Sequence, residues 1–109
     1  MKALTLTQPW ATLVIVGEKR YETRSWRTRY RGPLLIHASK TFPTYARQLC
    51  LNDPFLGVLT RVVLPLPLGA IIGCVNVLDC VPTEDVSARM TAQELAFGDF
   101  SPGRWAWML

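Results

Sequence analysis

The stretch Gly17-Glu-Lys-Arg-Tyr-Glu-Thr-Arg-Ser-Trp26 decides how the rest of the chain is interpreted, because it joins an apolar, helix-like segment to a run of arginines. From position 20 onward its side chains alternate, with Glu22 and Arg24 on one face, which predicts a β-strand. Lys19 lies at the start of that strand, beside a turn that the opening glycine allows. These three charged residues have no evident packing role, so we expect them to line a pocket. The alternative is a solvated strand face held by salt bridges, since charged strand residues usually face water.

The positive charge of the chain is concentrated in the same region. The net charge is +4, and positions 17–31 hold six of the twelve basic residues but only two of the eight acidic ones. The remainder of the chain is balanced. A localised positive patch of this kind favours a polyanion such as nucleic acid as the partner. The alternative is a surface that arginine merely makes soluble.

Length and composition indicate one globular domain. The chain has 109 residues, of which 50% are apolar and 18% charged, enough for a single core. No apolar run reaches about 18 residues, so we expect no transmembrane helix. The N-terminus has no signal-peptide core, which favours a cytoplasmic location.

The cysteines are three in number and contain no Cys-x-x-Cys pair. We expect buried free thiols at Cys50, Cys74 and Cys80 rather than a disulfide or a metal site. We expect no cofactor.

Hydrophobic periodicity predicts five strands and three helices. The predicted strands are at 2–7, 20–26, 32–39, 68–82 and 104–109, and the predicted helices at 7–17, 43–51 and 91–97. Positions 56–64 fit either a helix or an extended segment. Thr7 and Thr41 are the expected caps of the first two helices, and Thr91 with Glu94 forms a capping box for the third.

The longest predicted strand, 68–82, contains Gly73, which permits a bend or a bulge. Its far end carries Asp79, which either caps the following turn or faces a pocket. Strands interleaved with short helices and a strand prone to bend predict an α+β fold, a small β-barrel with flanking helices. The sequence stops within the last strand pattern, where we expect Trp105 and Trp107 on one face and an unpaired edge.

Five segments of the chain, in order, resemble the ASCH domain family of the PUA-like superfamily from Leu4 to the last residue. Within them Gly17, Lys19, Glu22 and Arg24 match the GxKxxExR signature of the family. The segments are Leu6–Ala11, Gly17–Trp26, Arg31–Ser39, Leu68–Val75 and Phe97–Trp107.

The resemblance implies a PUA-like β-barrel with a cleft lined by the signature, and an RNA-binding role. Family members often carry a further loop and a closing strand. We therefore expect residues 1–109 to form a single ASCH domain without that strand. A partner could complete the barrel, for example in a homodimer through the open C-terminal edge.

The expected binding residues combine this signature with polar and aromatic neighbours. In that cleft an arginine would contact phosphate, Glu22 would accept from a base amino group, and Trp10 or Trp26 would stack on a base. The full set is Gln8, Trp10, Lys19, Glu22, Arg24, Trp26, His37 and Ser39.

An enzyme in the same cleft is the second hypothesis, with Lys19 and Glu22 as the catalytic pair. Some ASCH-like proteins are amidohydrolases that act on N4-acetylcytidine through a lysine, a threonine and a glutamate. Lys19 matches that lysine, but Glu22 stands in the place of the threonine, and only Asp79 or Glu84 is available for the glutamate. Other family members are linked to RNA cleavage, for which Lys19 or His37 would serve. A third hypothesis is an interaction domain whose open edge pairs with another protein.

Overall fold

Six strands form two three-stranded sheets, with four short α-helices against them. The computed structural model describes residues 1–109. The first sheet consists of β1 (Lys2–Leu6), β3 (Gly32–Ala38) and β4 (Ala70–Val77), and the second of β2 (Tyr21–Arg24), β5 (Asp79–Pro82) and β6 (Trp105–Met108). The helices are α1 (Trp10–Ile15), α2 (Thr44–Leu49), α3 (Phe55–Leu59) and α4 (Ala92–Phe97), with short 3-10 turns at Thr83–Asp85 and Ser87–Arg89. The predicted α+β class is thus confirmed.

In the first sheet the strand order is β1-β3-β4, with β1 parallel and β4 antiparallel to the central strand. In the second sheet the order is β2-β6-β5, and both pairs are antiparallel. The pairing gives two sheets of three strands rather than one closed ring, so a closed barrel stays a prediction.

The predicted strand at 68–82 is wrong as a single element, because it divides into β4 and β5, which belong to different sheets. The division falls at Leu78, whose backbone N–H donates to the Met108 carbonyl at 2.8 Å. No glycine or proline stands at this residue, and apart from Asn76 and Asp79 the residues on both sides are apolar, so the sequence pattern hides the passage from one sheet to the other.

Gly73 has the role expected of it. The β3–β4 register shifts between Ile36 and His37, which pair with Gly73 and Ile71, so β4 carries a bulge at this point. A Cβ on Gly73 would lie 2.6 Å from Ile15 Cδ1. The missing side chain therefore lets α1 pack closely on β4.

The C-terminal strand is not an edge. β6 is the central strand of the second sheet and pairs with β2 on one side and β5 on the other. The predicted unpaired edge, and a homodimer formed through it, therefore have no support at this strand.

One of the three predicted helix caps is confirmed. The Thr91 hydroxyl accepts from the Glu94 backbone N–H, as predicted. Pro9 and Pro43 occupy the cap positions of α1 and α2 without a side-chain bond, so the predicted Thr7 and Thr41 caps are wrong. Each proline directly precedes its helix.

The core has three parts. One apolar cluster lies between the first sheet and α1, a second joins α1, α3 and α4, and a third lies against the second sheet. Positions 56–64 contribute to the second cluster through helix α3. The three thiols are free and Cys80 is buried, but Cys74 is exposed, contrary to expectation. None of the helices has the length and apolar character needed to cross a membrane.

Candidate functional site

A cavity of about 800 Å³ lies where β2, the end of β1 and the end of α4 meet. Its walls combine charged, hydroxyl-bearing and aromatic side chains. The lining residues are Thr5, Leu6, Thr7, Trp10, Glu22, Thr23, Arg24, Ser25, Trp26, Tyr45, Ala96, Phe97, Gly98, Asp99 and Arg104. Four of the residues predicted to line a cleft with Lys19 therefore share one concave surface, namely Trp10, Glu22, Arg24 and Trp26.

Lys19 lies beneath this cavity. The turn after α1 places it there. Gly17 adopts a φ of +82°, and the backbone N–H of Lys19 donates a hydrogen bond to the Leu13 carbonyl. The Lys19 side chain is only 1% exposed. Its Nζ donates to the Tyr21 carbonyl and lies 3.6 Å from Glu22 Oε1.

The environment of Lys19 lowers its pKa, chiefly because burial disfavours the charged ammonium. The negative charges of Glu22 and Glu94 oppose this effect. Gly98 lies beside the amine, since a Cβ added at that position would lie 3.4 Å from Nζ. Lys19 does not line the cavity, but it supports Glu22 from behind.

Glu22 and Arg24 form an ion pair in the cavity wall, and the Arg24 Nε and Glu22 Oε2 atoms are 2.8 Å apart. The Nε–H is not aligned with the carboxylate for a hydrogen bond. The same guanidinium donates through a terminal nitrogen to the Thr5 carbonyl at 3.2 Å. It also stacks on the Trp26 ring, 5.1 Å from the ring centroid. Arg24 is thus held from three sides.

A second ion pair, Asp99 with Arg104, lines the cavity near Gly98, with Nε and Oδ2 separated by 3.5 Å. Arg104 also donates to the carbonyls of Asp99 and Thr23, both at 3.2 Å. Hydrogen bonds from the Ser101 side chain and backbone lower the pKa of Asp99, and Arg104 adds to this. The Thr23 hydroxyl accepts from the Asp99 N–H at 3.0 Å and fixes the loop to β2.

Three partly exposed aromatic side chains and the buried Phe97 complete the lining. Trp26 is 48% exposed and packs edge-on against Trp107, with 5.8 Å between the centroids. Trp10 packs edge-on against Phe55 and lies 6.3 Å from Tyr45. Tyr45 is 60% exposed. Partly exposed aromatic rings beside ion pairs present flat apolar surfaces next to hydrogen-bonding groups.

Comparison with known proteins places this architecture in a family. The family model described as "ASCH domain" matches residues 4–107. This chain belongs to the ASCH domain family. It is 38% identical over 81 residues to activating signal cointegrator 1 of Homo sapiens and 37% identical over 81 residues to that of Mus musculus. Each match covers 72% of this chain but only 14% of the relative. The chain thus spans about one seventh of the length of these relatives.

Besides Lys19, three of the predicted binding residues of this ASCH domain lie outside the cavity lining. Gln8 is fully buried, where its side chain bonds to Thr12 and to the Pro67 carbonyl. His37 contacts the Thr5 hydroxyl across the β1–β3 pair at 3.2 Å. Ser39 bonds to Thr41. The cavity brings together Trp10, Glu22, Arg24 and Trp26 but leaves these three apart.

Asp79 and Glu84 also lie outside the lining. Asp79 is exposed, forms an ion pair with Arg31 at 3.3 Å, and accepts from the Cys80 N–H at 2.8 Å. Glu84 accepts from the Gly103 N–H at 3.3 Å. Neither supplies a third carboxylate to the cavity of this ASCH domain.

Sequence reasoning did not assign Tyr45, Asp99, Arg104 or Glu94 to the site. Glu94 is buried, and its carboxylate accepts from the backbone N–H groups of Arg20 at 3.0 Å and Tyr21 at 3.4 Å. It therefore holds the start of β2, from which the signature residues project. The predicted capping box did single out Glu94. It indicated a hydrogen bond within α4, however, rather than one to the start of β2.

Proposed function

We propose that this ASCH domain binds RNA, or a nucleotide derived from RNA, in the cavity beneath which Lys19 lies. The observation that carries the proposal is the shared lining, in which Trp10, Trp26 and Tyr45 line the same cavity as the Glu22–Arg24 ion pair. Membership of a family that is generally RNA-binding supports it.

The physical basis is stacking combined with a few fixed polar groups. Single-stranded nucleic acid binds to aromatic rings because every base has a π-face, and each stacked base contributes about 1–3 kcal/mol. The cavity, of about 800 Å³, falls within the usual size of small-ligand sites. Ion pairs to Lys19 and Arg24 hold the Glu22 carboxylate in place, so it is oriented before any ligand arrives.

Binding of a mixed-sequence single-stranded RNA, followed by fluorescence anisotropy, tests this function. Trp26→Ala should weaken binding about tenfold to hundredfold, as expected for one lost stacking contact. Trp26→Phe should restore most of the affinity, because the ring is kept. Leu64→Ala is the control, since Leu64 is 62% exposed and does not line the cavity. Equal affinity for Trp26→Ala and Leu64→Ala would show that RNA does not use this cavity.

A nucleoside-directed hydrolase is the second candidate, acting on N4-acetylcytidine or as a ribonuclease. One observation favours it, the buried Lys19 with a lowered pKa beside Glu22. Incubation with N4-acetylcytidine and with RNA, followed by chromatography, distinguishes an enzyme from a binding protein. An enzyme should release product and lose turnover in Lys19→Ala, whereas a binding protein should leave both compounds intact. The Lys19 side chain is only 1% exposed, and this favours binding over catalysis.

We further infer that the two sheets correspond to the wall of a PUA-like barrel, since β4 leads directly through Leu78 into β5. A cytoplasmic location is a proposal from the sequence that accompanies this one. Fractionation of cells that express the tagged protein, and an experimental structure, would test them.

A further inference from the structure

We propose that the cavity accepts the base of a single-stranded RNA and excludes its phosphates, which bind instead to Arg27 and Arg29 on the adjoining loop. This inference rests on the proposed RNA-binding function and deepens it. It assigns Arg24 to base recognition rather than to phosphate.

The first argument is charge balance in the cavity. Two guanidinium groups line it, and each has a carboxylate partner in the same lining, Glu22 for Arg24 and Asp99 for Arg104. A phosphate that entered would meet two carboxylates and would have to compete with both. The buried Lys19 amine adds positive charge behind Glu22, but its side chain is only 1% exposed and it donates to the Tyr21 carbonyl.

The second argument is the use of the donors. Tight phosphate binding by arginine uses two parallel N–H donors of the guanidinium fork. Arg24 directs one terminal nitrogen to the Thr5 carbonyl and stacks its face on Trp26. Arg104 uses Nε for the Asp99 carbonyl and a terminal nitrogen for the Thr23 carbonyl. The carbonyls therefore take one of the five N–H donors of Arg24 and two of the five of Arg104. The single donors that remain and the carboxylate lone pairs suit the edge of a base.

The third argument is the contrast with the loop that follows β2. Arg27 and Arg29 are exposed and have no carboxylate partner, unlike Arg31, which pairs with Asp79. The guanidinium of Arg27 stacks on Trp105, 5.4 Å from the ring centroid, so one face of it is supported while its in-plane donors stay free. Ser25 and Trp26 line the cavity, so these arginines follow the cavity wall directly in the chain. A strand with one base in the cavity can therefore place neighbouring phosphates on this loop.

Salt dependence separates the two roles, because each phosphate contact adds about 0.7 to the log–log salt slope of single-stranded binding. The probe is a mixed-sequence single-stranded RNA, measured by anisotropy over a range of salt concentrations. Arg27→Gln with Arg29→Gln should flatten the slope by about 1.4 units. Arg24→Gln should weaken binding yet keep the wild-type slope.

Competition supplies the second readout. An equimolar mixture of the four ribonucleosides should displace the RNA from wild-type protein. Inorganic tripolyphosphate should compete with the RNA only at the loop. It should therefore displace less RNA from the Arg27→Gln, Arg29→Gln variant. The partition is overturned if RNA binds but nucleosides fail to displace it and Arg24→Gln flattens the slope by about 0.7 units. Absence of binding to both RNA and nucleosides is a different result, and it would overturn the proposed function itself.

Discussion

At the scale of single residues, Lys19 is the most deeply buried charged residue in the molecule. Its side chain is 1% exposed, and it is bonded to the Tyr21 carbonyl and paired with Glu22. Removing one partner of a buried pair leaves the other charge uncompensated, which costs about 3–5 kcal/mol.

Lys19→Ala should therefore lower the free energy of unfolding by about 3 kcal/mol, the lower end of that range, because Arg24 still faces Glu22. Urea denaturation provides the measurement. The control is Arg61→Ala, which breaks the exposed Glu18–Arg61 pair and should change stability by less than about 1 kcal/mol. Similar losses in the two variants would contradict a structural role for the buried amine.

The lowered pKa of Lys19 gives this stability a pH dependence. Between the lowered folded value and the unfolded value of about 10.4, the unfolded chain binds a proton that the folded protein does not. The contribution of Lys19 to the free energy of unfolding should therefore rise with pH across that window. Urea curves of wild type and Lys19→Met at about pH 7 and about pH 10 measure it as a difference, in which the effects of other groups cancel. A difference that stays constant or falls would show that Lys19 remains fully charged in the folded state.

At the scale of elements, α4 and β2 are connected by Glu94. Thr91 caps α4. The carboxylate of Glu94, which lies in the same helix, accepts hydrogen bonds from the backbone N–H groups of Arg20 and Tyr21. These bonds set the position at which β2 begins, and hence the face on which Glu22 and Arg24 lie.

Variants at the start of α4 should separate these two contributions. Thr91→Ala should cost about 1 kcal/mol, as for other lost caps. Glu94→Ala should cost more, about 2–3 kcal/mol, because two backbone donors lose their acceptor. Thr44→Ala is the matched control, since Thr44 begins α2 without a side-chain cap bond. Thermal or urea unfolding measures all three, and a Glu94→Ala cost no greater than that of Thr91→Ala would contradict the link to β2.

At the scale of the whole molecule, each sheet has one central strand, β3 in the first and β6 in the second. Amides in such strands open only with large-scale unfolding. Hydrogen exchange should therefore be slowest at buried positions such as Leu34, Ile36 and Ala106. Rapid exchange through β6, with β3 still protected, would restore the idea of an open C-terminal edge.

Local signals in the sequence were sufficient for most elements of this fold. The charged strand, the Thr91 cap and the bend at Gly73 could be predicted because each depends on neighbouring residues. The passage from β4 to β5 at Leu78 could not, since no glycine or proline marks the point where the chain changes sheets. The unpaired edge was also a wrong prediction, because strand order is set by contacts between residues distant in sequence.

The candidate site shows the same division. Glu22, Arg24 and Trp26 share one local motif, and they do lie together in the cavity. Asp99 and Arg104 reach it only through folding, when the loop after α4 attaches to Thr23. Gln8 is polar and near a helix start, yet it is fully buried. Its side-chain amide donates a hydrogen bond to the carbonyl of Pro67, which is distant in the sequence. Sequence alone gives no signal for such long-range partners.

The most direct test of RNA binding in this cavity is NMR chemical-shift mapping of the full chain with a mixed-sequence single-stranded RNA. The largest shifts should fall on cavity residues, among them Thr5, Trp26 and Gly98, and on Arg27 in the adjoining loop. Shifts concentrated instead on the exposed apolar residues Leu51, Val63 and Leu64, with the cavity unaffected, would contradict it.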